Sequence, residues 1–206
     1  MKKFVLFVFV LISAKAFSQE KKGFIGNIMS RTSFGLKAGG NYSNFTNAGF
    51  ETEGLAGFHV GGIINFKLSD RFSIQEDILY STQGAKIKDK TLFSGDEIKL
   101  SYMSIPILLR YQTSLGVYVE AGPQANMLIT DAKNTGFEKF ADKIDAGAAF
   151  GLGFQFKEGP VQGLGFGVRY YMGLTDVGQF NSSSIKSDFR NNVAQASIFY
   201  VFTKKK

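Results

Sequence analysis

The sequence predicts an all-β fold, an eight-stranded antiparallel up-and-down transmembrane β-barrel. Three observations lead there. Eight stretches carry apolar side chains on one face only, glycine and phenylalanine are abundant, and tight connections alternate with long polar ones. The chain holds 24 glycines and 22 phenylalanines but three prolines and no cysteine. Abundant glycine argues against long helices, while aromatic residues favour strands. Without cysteine there is neither a disulfide framework nor a thiolate metal site. An exported domain of this size then needs one extensive sheet, closed on itself, for its stability.

The chain opens MKKFVLFVFVLISAKAFSQE. Lys2 and Lys3, an apolar run from Phe4 to Ile12 and the small-x-small Ala16-Phe17-Ser18 read as a secretory signal peptide over residues 1–18. The run is shorter than the roughly 20 residues a spanning helix needs. Residues 19–31 are expected to be a periplasmic lead segment, disordered or plug-like, 32–202 the outer-membrane barrel domain and 203–206 a basic tail. Cleavage removes Lys2, Lys3 and Lys15 and no acid, so the 24 basic and 17 acidic residues become 21 and 17, a net charge of +4. Lys21, Lys22 and the Lys204-Lys205-Lys206 tail outnumber this excess, which leaves no basic stripe for nucleic acid.

The strands follow in order. Over 33–42, Phe34, Leu36, Ala38, Gly40 and Tyr42 oppose Gly35, Lys37, Gly39 and Asn41. Over 57–68, Phe58, Val60, Ile64 and Phe66 oppose His59, Asn65 and Lys67. From 71 to 82, Phe72, Ile74, Ile78 and Tyr80 oppose Ser73, Gln75, Asp77 and Ser81. The fourth, "YMSIPILLRY" (102–111), sets Met103, Ile105, Ile107, Leu109 and Tyr111 against Ser104, Pro106 and Arg110. The fifth, 116–127, sets Val117, Val119 and Ala121 against Tyr118, Glu120 and Gln124. The sixth, 143–156, sets Ile144, Phe150, Leu152 and Phe154 against Asp145 and a row of glycines. In the seventh, 164–175, Phe166, Val168 and Tyr170 oppose Arg169, and the last, 193–202, has Ala194, Ile198, Tyr200 and Phe202 on one side.

Tight turns at 68–71, 112–115 and 157–162 alternate with long polar stretches at 43–56, 83–97, 128–142 and 176–192. An up-and-down barrel sorts these onto two rims, and an even strand count puts both termini on the short-turn rim, periplasmic in an outer membrane. A soluble eight-stranded carrier is the structural alternative. It would fill its interior with the bulky apolar side chains and expose the polar ones. Here the apolar faces hold more bulk than so narrow a lumen accepts, so they are expected outside, against lipid. Tyr42, Tyr80, Tyr111, Tyr170 and Tyr200 suit interfacial aromatic belts. Two positions resist this pattern. Pro106 removes a ladder hydrogen bond in a sheet without a free edge, so a bulge or a side-chain partner is expected there. Glu76 falls on the outward face unless a bulge turns it inward.

The segments "FSIQEDILYSTQG", "YMSIPILLRY", "VYVEAGPQANMLI", "DAGAAFGLGFQF" and "FGVRYYMGLTD" occur in an order that resembles the PorT-type outer-membrane β-barrel family of Bacteroidota, over residues 32 to 202. The resemblance implies an eight-stranded outer-membrane barrel. It also implies a link, through one member, to protein secretion by the type IX system. It brings no catalytic motif. Glu76 departs from the family, whose members often carry proline there.

The inward face holds Lys37, Lys67, Asp77, Arg110, Glu120, Asp145 and Arg169. Lys37, Asp77, Arg110, Glu120, Asp145 and Arg169 are expected to form a lumen charge network, because a buried charge needs a partner. Arg110 and Glu120, flanking one tight hairpin, are placed as diagonal neighbours. The network reads as a plug, or alternatively as the wall of a narrow channel or small-ligand carrier. His59 is the lone histidine and reads as a hydrogen-bonded interior residue. No clustered ligand spacing points to a metal, "GLGFQF" and "GLGFGV" open no helix and so bind no phosphate, and no cofactor is expected. The expected function is non-enzymatic, structural or partner-binding. Outer-membrane lipid surrounds the barrel, and envelope or secretion-system proteins meet the long loops. A lipid-hydrolysing enzyme is the third reading, for which His59 lacks a sequence-local nucleophile.

Overall fold

A computed structural model describes residues 24–47, 51–88, 97–132, 140–178 and 189–202. The expected signal peptide and the basic tail lie outside them. A helix, α1 (Phe24–Arg31), occupies part of the segment expected to be a lead, and there the Ser30 hydroxyl donates to the Asn27 carbonyl at 2.8 Å. Eight strands follow: β1 (Thr32–Thr46), β2 (Thr52–Lys67), β3 (Phe72–Ile87), β4 (Glu97–Gln112), β5 (Val117–Thr130), β6 (Ile144–Gln155), β7 (Leu164–Gly173) and β8 (Arg190–Val201). Each pairs antiparallel with its sequence neighbours, and β8 returns to β1 to close the barrel. Closure removes both sheet edges, so the ladders satisfy the backbone without water.

Orientation follows the alternation. Phe150, Leu152 and Phe166 are 52, 58 and 52 % exposed, whereas Glu120 and Arg169 on the opposite face are 5 and 6 % exposed. A soluble carrier would have the reverse. Ring contacts gird the short-turn end, Phe72 with Tyr111 at 5.1 Å and Tyr200 with Phe202 at 5.5 Å, and Phe58 meets Tyr80 at 5.9 Å further along. Val168 lies midway along β7 on the outward face. Val168→Arg is therefore expected to lower stability by about 2–4 kcal/mol, as measured by urea unfolding in phospholipid vesicles. A cost near zero would mean that this face does not meet hydrocarbon.

The strands run further toward the long-loop end than the sequence suggests, and the first long stretch, 43–56, is mostly strand. Only 47–51 connects β1 to β2, 88–96 connects β3 to β4, and 131–143 and 174–189 make the other two loops. The physical reason is an inversion of polarity at constant parity. Beyond the apolar zone, Lys86, Glu97 and Lys99 point outward, while Ala85, Ile87, Ile98 and Leu100 point inward and are buried. The extension has the cross-section of a soluble barrel, polar outside and oily inside. Gly84 permits the close approach of β3 and β4 there. Its φ is +144°, and a Cβ would collide with the Ile98 carbonyl oxygen.

No bulge forms at Pro106. The β3–β4 ladder pairs Glu76 with Ile107 and then Leu79 with Ser104, in the same register but with the pairs at Pro106 and Ile105 missing. Across β4–β5 the gap falls opposite Pro123 and Gly122. The two prolines thus cost local pairing rather than register, and the irregularity of β4–β5 lies instead between Ser101 and Tyr102. Glu76 stays on the outward face, half-buried between Ile64 and Ile107. It is a carboxylate on an oily wall, where acids cost less than Lys or Arg.

Candidate functional site

The lumen is built in layers, each dictated by where its strand positions fall between the two rims. Nearest the short turns, Ile63, Tyr118, Phe199 and Val201 form a small apolar cluster. Above it lies a continuous ionic network. Asp77 Oδ2 accepts from Lys37 Nζ at 2.7 Å and from Arg169 Nη1 at 2.8 Å. Glu120 Oε1 accepts from Arg169 Nε and Nη2 at 3.0 and 2.6 Å, and its Oε2 accepts from Arg110 Nε and Nη2 at 3.0 and 2.6 Å. Glu120 therefore bridges two guanidiniums that would otherwise repel. Arg110 and Glu120 are direct cross-strand partners, one step closer than the expected diagonal. The Arg110 guanidinium carbon also sits 3.8 Å from the Tyr118 ring centroid, a favourable cation–π geometry. Gly151 leaves room for this arrangement, since a Cβ there would come within 2.9 Å of Glu120 Oε1.

Asp145 stands apart from the network. Its position near the long-loop end of β6 surrounds it with neutral donors, Tyr171 Oη at 2.7 Å and Asn126 Nδ2 at 3.0 Å, with Thr175 and Asn191 more distant. Hydrogen bonding, not ion pairing, satisfies this buried carboxylate. Lys67, expected inward, is exposed at the short-turn mouth and bonds Asp70 at 3.0 Å. That hydrogen bond and the charge of Lys67, aided by Lys157, hold the Asp70 carboxyl below the usual carboxylate range.

Between these groups lies an amide and hydroxyl layer around His59. Asn41 Nδ2 donates to the Phe58 and Thr82 carbonyls and to Ser81, so its Oδ1 accepts from His59 Nδ1 at 2.7 Å and from Gln195 at 3.1 Å. The Nδ1–H tautomer leaves Nε2 to accept from the Ser197 hydroxyl at 2.9 Å. Sequence reading could not foresee this Ser197–His59–Asn41 chain, which closes only across the β1–β8 seam. It has the order of nucleophile, base and orienting amide. Yet His59 is 1 % exposed, and Ser197 is paired on both flanks with Gly39 and Gly167, which commits neighbouring N–H groups to the ladders rather than to an oxyanion hole. The chain links three strands by buried hydrogen bonds across the seam.

The long-loop end is closed by an apolar stopper that the sequence hid among polar residues. Phe45, Phe140 and Phe189 meet as tilted rings with centroids 5.0–6.4 Å apart, packed with Ile87, Ile98, Leu100 and Val177. Asp131 accepts the Phe140 and Ala141 N–H groups, and an antiparallel bridge between Ala141 and Gly178 ties the two longest loops together. Phe140 and Phe189 are thus buried although both lie in stretches that read as polar in the sequence.

A family model described as outer membrane protein beta-barrel domain matches residues 17–179. Neisserial surface protein A is similar in structure, with TM-score 0.51 and 14 % identity over 83 % of this chain and 99 % of that one. The outer membrane protein AlkL, solved in DMPC lipid bilayers, gives TM-score 0.51 and 16 % identity over 92 and 97 %. Ail, the attachment invasion locus protein of Yersinia pestis, gives 0.47 and 12 % over 84 and 99 %. No curated protein sequence matches. At these identities the structural likeness shows the fold alone, that of a small outer-membrane barrel. The family match covers most of the sequence and runs from before β1 to beyond β7, and on that basis the chain belongs to the outer membrane protein beta-barrel domain family.

Proposed function

We propose that the protein is a non-enzymatic anchor of the outer membrane, a sealed barrel that conducts nothing and offers its long-loop end to an envelope partner. One observation carries this reading: the cross-section of the lumen is spanned by five buried, mutually bonded charged residues, with an aromatic stopper above them. Side chains fill so narrow a barrel. An accessory role in protein secretion, as the likeness to PorT-type barrels suggests, is the form this anchoring takes. The chain arrives by a cleaved signal peptide, and both termini face the periplasm because the strand number is even and the short turns share their rim. Intact mass of the purified protein should lack residues 1–18.

Planar-bilayer recording on the purified barrel is the direct test. A silent bilayer is expected. Discrete conductance steps would favour the narrow channel or small-ligand carrier instead. Photocrosslinking from Lys88 and Asp176, on the long-loop side, should capture an envelope protein. A deletion strain that secretes normally would remove the secretion role while leaving the anchor intact.

A further inference from the structure

The short-turn mouth opens into a cup of about 290 Å³ whose wall carries four cationic side chains and one carboxylate. Lys67, Arg71 and Lys157 stand on its rim, Arg110 forms part of its floor, and Asp70 is its one carboxylate. Asp70 is engaged by Lys67, and Arg71 and Lys157 make no ion pair among the described residues. The floor carries a second, independent sign. The buried network beneath holds three cations, Lys37, Arg110 and Arg169, against two carboxylates, Asp77 and Glu120. With all five ionised it is one positive charge in excess. Arg110, 1 % exposed, spends Nε and Nη2 on Glu120, and its Nη1 has no acceptor among the described residues. That nitrogen keeps some contact with solvent, so under a cationic rim it offers an open donor for a charge-assisted hydrogen bond.

We propose that this cup is an oxyanion site, taking a phosphate group between Arg110 Nη1 below and Arg71 and Lys157 above. The Ser73 hydroxyl on the same wall accepts from Asn65 Nδ2 at 3.1 Å and keeps its proton for another oxygen of a tetrahedral anion, and Gln112, whose amide donates to Gly116 and Gln155, lies alongside. Phe72 and Phe156 border the cup on its apolar side, so a lipid headgroup phosphate at the membrane interface and a free phosphate present the same chemistry to it. The site is independent of whether the long loops bind a partner.

The test uses the full barrel in non-ionic micelles, titrated with inorganic phosphate while Arg side-chain Nε–H and Gln112 amide resonances are followed by NMR. Saturable shifts are expected, and the double variant R71A/K157A should weaken binding at least about tenfold, since each charge-assisted hydrogen bond contributes roughly that factor. Both substitutions lie at the rim, and heat-modifiable gel mobility verifies that the barrel still forms. In a second arm the barrel is placed in nanodiscs of phosphatidylglycerol, then of phosphatidylcholine, without added phosphate. If the same resonances move in either lipid, a headgroup is the source. If they move only with inorganic phosphate, the ligand is soluble. No saturable change in either arm, or equal binding by R71A/K157A, overturns the proposal.

Discussion

Glu120→Ala is expected to lower the folding stability by about 3–5 kcal/mol, the usual result of removing one member of a buried ionic cluster. The loss does not come from the pair energies alone. With Glu120 gone, the Arg110 and Arg169 guanidiniums remain buried, and only Asp77, already shared with Lys37, is left to balance three cations. Urea unfolding in phospholipid vesicles, followed by circular dichroism because the chain has no tryptophan, measures it. Adding Arg110→Met in the same molecule should recover part of the loss, since one fewer buried cation then lacks a counter-charge. A cost below about 1 kcal/mol for Glu120→Ala would place the network with exposed surface pairs and end the reading of the lumen as an ionic plug.

Phe189→Ala should cost a similar amount, about 3–5 kcal/mol, for a different reason. Phe189 is buried against Phe45 and Phe140, with centroid distances of 5.0 and 5.6 Å, near the bridge by which the described parts of the two longest loops meet. Its carbonyl also accepts the Val177 N–H at 3.0 Å. Truncation leaves a cavity between rings that are held by three different strands or loops and cannot all relax into it. Hydrogen exchange at Val177 should accelerate together with the loss of stability. If exchange there stays slow and stability falls by less than about 1 kcal/mol, the stopper is a surface cluster and does not seal the barrel.

Much of the membrane-spanning wall was legible in the sequence, because a period of two with bulky side chains on one face has a single meaning once eight such stretches alternate with turns. Phe34, Leu36, Phe150 and Phe166 all declare the outward face directly. The protruding collar was not legible. There the oily side chains of Ile87, Ile98 and Leu100 change sides relative to the polar ones, so a reader tracking the apolar face loses the strand just where it leaves the lipid zone. Of the ionic groups, Arg110 and Glu120 could be linked because one hairpin joins them. Their meeting with Asp77, Arg169 and Lys37 depends on closure of the sheet, with separations of 40, 49 and 92 residues, and no local pattern encodes it. The same holds for Ser197 and His59, 138 residues apart. Asp145 was misassigned because a carboxylate facing inward says nothing about whether its neighbours are amides or cations.

The ionic cluster also constrains the order of assembly. Its members come from β1, β3, β4, β5 and β7, so of its bonded pairs only Arg110–Glu120 lies within one hairpin, while the Lys37–Asp77 pair needs β1 and β3 brought together across β2 and Arg169 arrives on the far limb of the sheet. Until the first and last strands meet, these groups must remain hydrated, which obliges the nascent sheet to insert as a curled, water-bearing trough. Desolvation of the interior then becomes the final event, and a chain that fails to bring the seam together never loses its water.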